Sequence, residues 1–196
     1  MNYSNVKAGL NKLFLAELMT IAAGFSVAFN EEPVQIIGVV LGLLGAAAFI
    51  VNLRGLKQCA LDDEGYKKAF NLSIAGLVVS LLVTILSVVQ EDSVLSKSAN
   101  EIQAVFNYLV AYMVLKTTAP ILRSCEKNAE ADYADKVRKL YTVAFVIAEV
   151  FSILADAFSD NAMVLVVVLV AIVAVIVLLV AQIRYIIFLR KSANAL

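Results

Sequence analysis

From Ala162 to Ala181 the chain runs for twenty residues without one polar side chain. At about 1.5 Å of rise per residue, such a run is roughly 30 Å long as a helix, the thickness of a bilayer's hydrocarbon core. Hydrocarbon offers the backbone no hydrogen-bond partner, so each N–H and C=O must be satisfied within the segment, and a single spanning segment must be a helix. This run commits the chain to a membrane and makes every other apolar stretch a candidate neighbour.

Six spans are expected, at roughly 8–29, 34–53, 69–89, 102–122, 138–158 and 162–184. The composition accommodates them: 62% of residues are hydrophobic and 16% charged, whereas a soluble domain usually carries about 25% charged residues. Net charge is zero and points to no partner, but its distribution is informative. Lys7 and Lys12 accompany the start of the first span. Arg54, Lys57, Lys67 and Lys68 lie between the second and third, and Arg123, Lys127, Lys136, Arg138 and Lys139 between the fourth and fifth. Arg184, Arg190 and Lys191 close the last. The opposite connections hold Lys97 alone among Glu31, Glu32, Glu91, Asp92, Glu101 and Asp160. By the positive-inside rule the basic side is cytoplasmic, which places both termini there. Five or seven spans would break the alternation.

Lys7 and Lys12 before an apolar stretch, with Ser26-Val27-Ala28 after it, imitate a signal peptide. The same stretch belongs to an internal repeat, so it reads as a retained first span. The two cysteines, Cys59 and Cys125, stand beside basic residues at the expected cytoplasmic helix ends and read as reduced and unpaired. Short loops and reduced thiols fit a bacterial inner membrane.

The chain divides into three tandem helical hairpins, at about 1–61, 62–127 and 128–196, with a period of about 66 residues. The odd spans align as Ala16-Glu17-Leu18-Met19-Thr20-Ile21, Ser80-Leu81-Leu82-Val83-Thr84-Ile85 and Ala148-Glu149-Val150-Phe151-Ser152-Ile153. The even spans end as Leu56-Lys57-Gln58-Cys59, Leu122-Arg123-Ser124-Cys125 and Leu189-Arg190-Lys191-Ser192. Each hairpin starts and ends inside, so the repeats would be parallel and related by an axis near the membrane normal, unlike the inverted repeats of many transporters.

Glu17 and Glu149 each follow an aligned lysine, Lys7 or Lys139, by a distance that puts them about 15 Å into a helix. A carboxyl there costs roughly 2.5–3.5 kcal/mol on insertion scales and should face the bundle interior or a wet cavity. Glu17 shares a helix face with Thr20 and Gly24, and Glu149 with Ser152 and Asp156. Tyr108, Tyr112 and Lys116 form a second polar stripe in span four, with Asn107 beside it; Lys116 either pairs with one of the glutamates or snorkels to the inner interface. These eight side chains are the candidate solute or proton site: Glu17, Thr20, Tyr108, Tyr112, Lys116, Glu149, Ser152 and Asp156. Ser73, Ser80 and Ser87 read chiefly as helix contacts, as does the glycine face of Gly38, Gly42 and Gly45.

The chain contains no His and no closely spaced Cys pair, so no zinc site is expected. No Gly-rich phosphate loop and no nucleophile with its base can be assembled, so neither an enzyme, nor a cofactor, nor nucleic-acid binding is expected. In size and layout the chain resembles the membrane substrate-binding subunits of energy-coupling-factor vitamin transporters, but it lacks the small-residue motif of their first span. Mitochondrial carriers share the three-hairpin plan, but their repeats are longer and carry a proline–acidic–basic signature absent here. Two functions follow: a small-solute transporter or membrane substrate-binding subunit, or a structural protein working through helix contacts with a partner subunit or with its own copies.

Overall fold

A computed structural model describes residues 3–25, 35–90, 93–157 and 164–196, with side chains left undescribed at 35, 90, 93–97, 99–100, 152–157, 164–169 and 171. Six helices make up the described chain: α1 (Ser4–Gly24), α2 (Gln35–Cys59), α3 (Glu64–Gln90), α4 (Ser93–Ser124), α5 (Asn128–Ala157) and α6 (Val164–Ala195). Four contain segments long and apolar enough to cross a membrane: Ile36–Cys59, Glu64–Val89, Glu101–Ser124 and Ile172–Ala195. The expected first, second, fifth and sixth spans run into residues outside the described ones, and α1 carries Lys7, Lys12 and Glu17 within its described length.

Several helices are longer than the apolar stretches that announce them. α2 continues through Arg54 and Lys57 to Cys59, and α6 through Arg184, Arg190 and Lys191 to Ala195. Basic side chains are favourable at a helix C-terminus, so the basic turns extend the helices and do not end them. α4 starts at Ser93, and the long connection expected over Gln90–Asn100 is therefore mostly helix.

Each helix packs against its chain neighbours, most extensively within the pairs α1/α2, α3/α4 and α5/α6, and α6 returns against α1 to close a ring. The core sits at one end of this ring. Val6, Leu10 and Leu13 of α1 meet Leu56 and Cys59 of α2, Tyr66 of α3, Val114, Leu115 and Leu122 of α4, Val137 of α5 and Phe188 and Leu189 of α6, all fully buried. That end also holds the α2–α3 and α4–α5 connections and the start of α1.

Two glycines let α1 and α2 touch there. A Cβ on Gly9 would stand 2.2 Å from Cys59 Sγ and 2.6 Å from the Gly55 carbonyl oxygen, and one on Gly55 would stand 3.0 Å from the Gly9 carbonyl oxygen. The glycine face expected in α2 does not serve this crossing: Gly45 approaches Ala23 of α1, whereas nothing lies within 4 Å of a Cβ placed on Gly42. Between α3 and α4 the same service comes from Gly76, whose Cβ would stand 2.6 Å from Phe106 Cβ.

Polar groups pin the loops at this end. Asp63 caps α3 by accepting a hydrogen bond from the Gly65 N–H at 2.7 Å, as the Asp62-Asp63-Glu64 sequence implies. Asp62 reaches across instead and accepts the N–H groups of Asn5 and Val6 at 3.1 and 3.0 Å, satisfying donors that the first turn of α1 cannot pair itself. α4 ends in a Schellman turn: the Lys127 N–H donates to the Leu122 carbonyl at 2.9 Å and the Glu126 N–H to that of Arg123 at 3.0 Å, with Glu126 at φ 61° in the position usually given to glycine. Between α3 and α4, Thr118 donates its only hydroxyl proton to the Val114 carbonyl at 2.7 Å, so Tyr66 is the donor in its buried 2.7 Å bond to Thr118.

The Gly9–Gly55 crossing generates a test. Gly9→Ala is expected to destabilise the protein by about 2 kcal/mol, because a backbone oxygen cannot swing away from the new methyl. Gly42→Ala should change stability by less than about 1 kcal/mol, in the stabilising direction. Thermal unfolding of both variants in detergent checks this, and equal effects would contradict the described crossing.

Candidate functional site

Beside the packed end, inside the ring, lies a cavity of about 290 Å³ to which all six helices contribute. Glu17 and Thr20 come from α1, Asn52 and Phe49 from α2, Ser73 from α3, Gln103 and Asn107 from α4, Tyr141 from α5, and Gln182 and Tyr185 from α6. Gly45, Ala48, Val110 and Ala111 complete the wall. Fully or nearly buried residues, among them Ala48, Ser73, Tyr141 and Tyr185, form its inner part, while Thr20 and Asn107 are exposed. Its floor is the packed core.

A chain of hydrogen bonds crosses this site. Tyr141 donates its hydroxyl to Gln182 Oε1 at 2.6 Å, and Gln182 Nε2 donates to Glu17 Oε2 at 2.7 Å. The polarity is fixed along its length: the amide receives at one end and gives at the other, which orients the carboxyl of Glu17 with a donor on one oxygen. Its second oxygen, Oε1, accepts nothing from the described residues. In the same wall, on α2, Asn52 Oδ1 is buried without a hydrogen-bond partner among the described residues. Toward the exposed side, Ser80 donates to Gln103 Oε1 at 2.8 Å and Gln103 Nε2 donates to Asn107 Oδ1 at 2.9 Å, which joins α3 to α4 along the wall.

Of the eight side chains singled out from the sequence, the structure brings Glu17 and Thr20 to this cavity. Thr20 gives its proton to the Ala16 carbonyl of its own helix at 2.9 Å, leaving the hydroxyl oxygen as an acceptor. Tyr108 lies instead in the α4–α5 seam, where its hydroxyl donates to Thr142 at 3.0 Å and its ring stacks on Phe145 at 4.4 Å. Tyr112 sits in the same seam under the Arg138 guanidinium, 5.8 Å from the ring centre. Lys116 is exposed and makes no ion pair with the described residues, so it does not pair with Glu17. Glu149 is half-buried, outside the cavity wall. The side chains of Ser152 and Asp156 lie outside the described residues.

The reason for this division is helical geometry. Asn107, Val110 and Ala111 share the face of α4 that looks into the ring, so Tyr108 and Tyr112 turn toward α5 and Lys116 away from the protein. Among the serines of α3, Ser73 lines the cavity and Ser80 bonds α4, while Ser87 donates to the Thr84 carbonyl of its own helix. Gln182 was the strongest signal to pass unused: it is the first polar side chain after the twenty-residue apolar run. Asn52 and Tyr185 similarly interrupt aliphatic sequence about two to three turns from a helix end, where basic neighbours mask them.

No family, curated protein or solved structure matches this chain.

The hydrogen-bonded chain predicts a graded response. Tyr141→Phe removes one donor and should cost about 1 kcal/mol of stability, whereas Gln182→Leu strands both Tyr141 and the Glu17 carboxyl and should cost about 2–4 kcal/mol. Glu149→Gln, outside the cavity, is expected to stay within about 0.5 kcal/mol of wild type. Thermal unfolding in detergent reads all three; a Tyr141→Phe loss as large as that of Gln182→Leu would contradict the arrangement.

Proposed function

We propose that this is a six-span inner-membrane protein, with both termini in the cytoplasm, that binds a small polar solute in its central cavity as a transporter or as the membrane substrate-binding subunit of one. The observation that carries the reading is the convergence of all six helices on one cavity with an internal carboxyl. A polar group inside a membrane bundle is expensive, and a merely structural one is best satisfied by a single neighbouring helix. Here side chains from α5 and α6 hold Glu17 of α1 in a fixed orientation, and on α2 the buried Asn52 Oδ1, in the same wall, has no donor among the described residues.

The spans follow from the four apolar helices together with the positions of α1 and α5 in the ring. Each of these lies between two of the four and contributes to the same cavity. The packed end carries most of the basic residues, so it is the cytoplasmic end, and the solute enters from the opposite side, where Thr20 and Asn107 are exposed.

The chain is further inferred to be three tandem hairpins related by a pseudo-threefold axis along the ring. Aligning the three even helices on Leu56, Leu122 and Leu189 brings three fully buried leucines together, and eight residues earlier Ala48, Val114 and Ala181 are equally buried. Equivalent positions therefore face the axis in all three repeats.

Native mass spectrometry of the protein released gently from its own membrane tests the function. A retained small molecule, or a stoichiometric partner such as an ATPase module, is the expected result. A homo-oligomer carrying only lipid would favour the structural reading, in which the open Gly42 face of α2 receives a helix from a second copy.

A further inference from the structure

The cavity has a definite charge character. Among the described residues that line it, Glu17 is the only Asp or Glu and none is Lys or Arg. Elsewhere among the described residues the carboxylates that form ion pairs do so at the helix ends, as Asp132 and Asp135 do with Arg123. Among the described residues Glu17 has only the neutral amide of Gln182 as a donor. A carboxylate withdrawn from water is costly unless a countercharge and hydrogen bonds accompany it. The protein supplies the hydrogen bond and withholds the countercharge.

Three further features of the wall belong to a cation. Asn52 Oδ1 is a buried carbonyl oxygen with no donor among the described residues. Thr20 has committed its proton to the backbone and presents only lone pairs. The rings of Tyr141 and Tyr185, tilted with centroids 5.9 Å apart, and the ring of Phe49 border the same space, and aromatic faces attract cations through their quadrupole. An anionic solute would meet a carboxyl and surplus acceptors, with no basic side chain to compensate. The space of about 290 Å³ is also too large for a bare metal ion. At roughly 30 Å³ for each water-sized group, it suits a solute of about ten non-hydrogen atoms or fewer. Among the described residues there is also no group of three or more His, Cys, Asp or Glu side chains fit to hold a metal.

We infer that the solute is a small organic cation, a protonated amine whose ammonium group sits between the Glu17 carboxylate and the Asn52 carbonyl oxygen, with its apolar part against Tyr185 and Phe49. This rests on the solute-binding reading and narrows it to a substrate class. The Gln182–Tyr141 pair then acts as a positioning element, holding one carboxylate oxygen so that the other faces the ammonium. Thr20 and Asn107 stand where the solute first meets the protein.

The test uses the full-length protein in lipid nanodiscs at pH 7 and fixed ionic strength, with empty nanodiscs as the blank. Three probes of matched shape differ only in the charged end: tyramine, tyrosol and 4-hydroxyphenylacetate. A two-carbon set, ethanolamine, ethylene glycol and glycolate, repeats the comparison at smaller size. Calorimetry should give an amine affinity at least tenfold above that of the matched alcohol and acid in at least one set. Glu17→Gln should remove at least tenfold of the amine affinity and leave the alcohol unchanged, and Asn52→Leu should weaken the amine as well. If Glu17→Gln does not fold, the ranking of probes on the wild-type protein and the Asn52→Leu result still decide. An alcohol or acid binding as tightly as its amine would overturn the cationic class while leaving a solute cavity in place. Displacement of every probe by sodium alone would overturn it in favour of a metal cation. No probe binding above the blank would overturn both the class and the cavity's role in binding.

Discussion

The six helices hold together at one end, and the polar interior at the other end depends on that grip. Gly9 and Gly55 bring the backbones of α1 and α2 into contact, and Asp62 ties the first turn of α1 to the connection that follows α2. Tyr66 and Thr118 lock α3 to α4 beneath the cavity. Lipid tails are as apolar as leucine, so helices in a membrane are not driven together by burying aliphatic surface; close packing and interhelical hydrogen bonds carry the association. Here both are concentrated around Leu56, Leu122 and Leu189. With the helices fixed there, the ring can hold an internal cavity lined by amides, hydroxyls and a carboxyl.

The cavity departs from the threefold pattern proposed for the packing around it. Eight-residue-spaced positions on the even helices are uniformly apolar and buried, but the positions between them are not alike. Asn52 and Tyr185 line the cavity, whereas the aligned Thr118 is buried against Tyr66. Gln182 aligns with Phe49 and Leu115, and Glu17 with Leu81 and Glu149. Of these two carboxyls, Glu17 lines the cavity and Glu149 does not. On the proposed three-hairpin reading, a scaffold that carries one acidic position in its centre is suited to a single asymmetric solute, and the bonds from Tyr141 and Gln182 give that position a direction.

The helices were legible because their determinants are local. An apolar run of membrane length leaves the backbone one conformation, and basic residues mark the ends. Glu17 was legible for a related reason: a carboxyl flanked by Leu15, Ala16, Leu18 and Met19 has few places to go. Its partner was not. Whether Lys116 or Gln182 meets Glu17 depends on how α4 and α6 are rotated about their own axes, and tertiary packing sets that. The Tyr108, Tyr112 and Lys116 stripe is an amphipathic signal of real strength, yet it faces a neighbouring helix and the outside. Gly9 and Gly55 were hidden similarly, because a stripe of three glycines at Gly38, Gly42 and Gly45 reads more loudly than two lone glycines on different helices.

In the proposed arrangement Thr20 stands in a passage reached from outside the cell while the opposite end of the ring is closed and cytoplasmic. Thiol labelling in intact cells tests it directly. Cys59 is buried and Cys125 lies in the α4–α5 connection, so on the proposed topology the wild-type chain provides its own cytoplasmic reporter. A membrane-impermeant maleimide added to whole cells should label Thr20→Cys in a Cys59→Ala, Cys125→Ser background. The wild-type Cys125 should react only after permeabilisation. Labelling of Cys125 in intact cells would invert the topology, and a Thr20→Cys variant that folds yet reacts only after permeabilisation would contradict entry from the outer side.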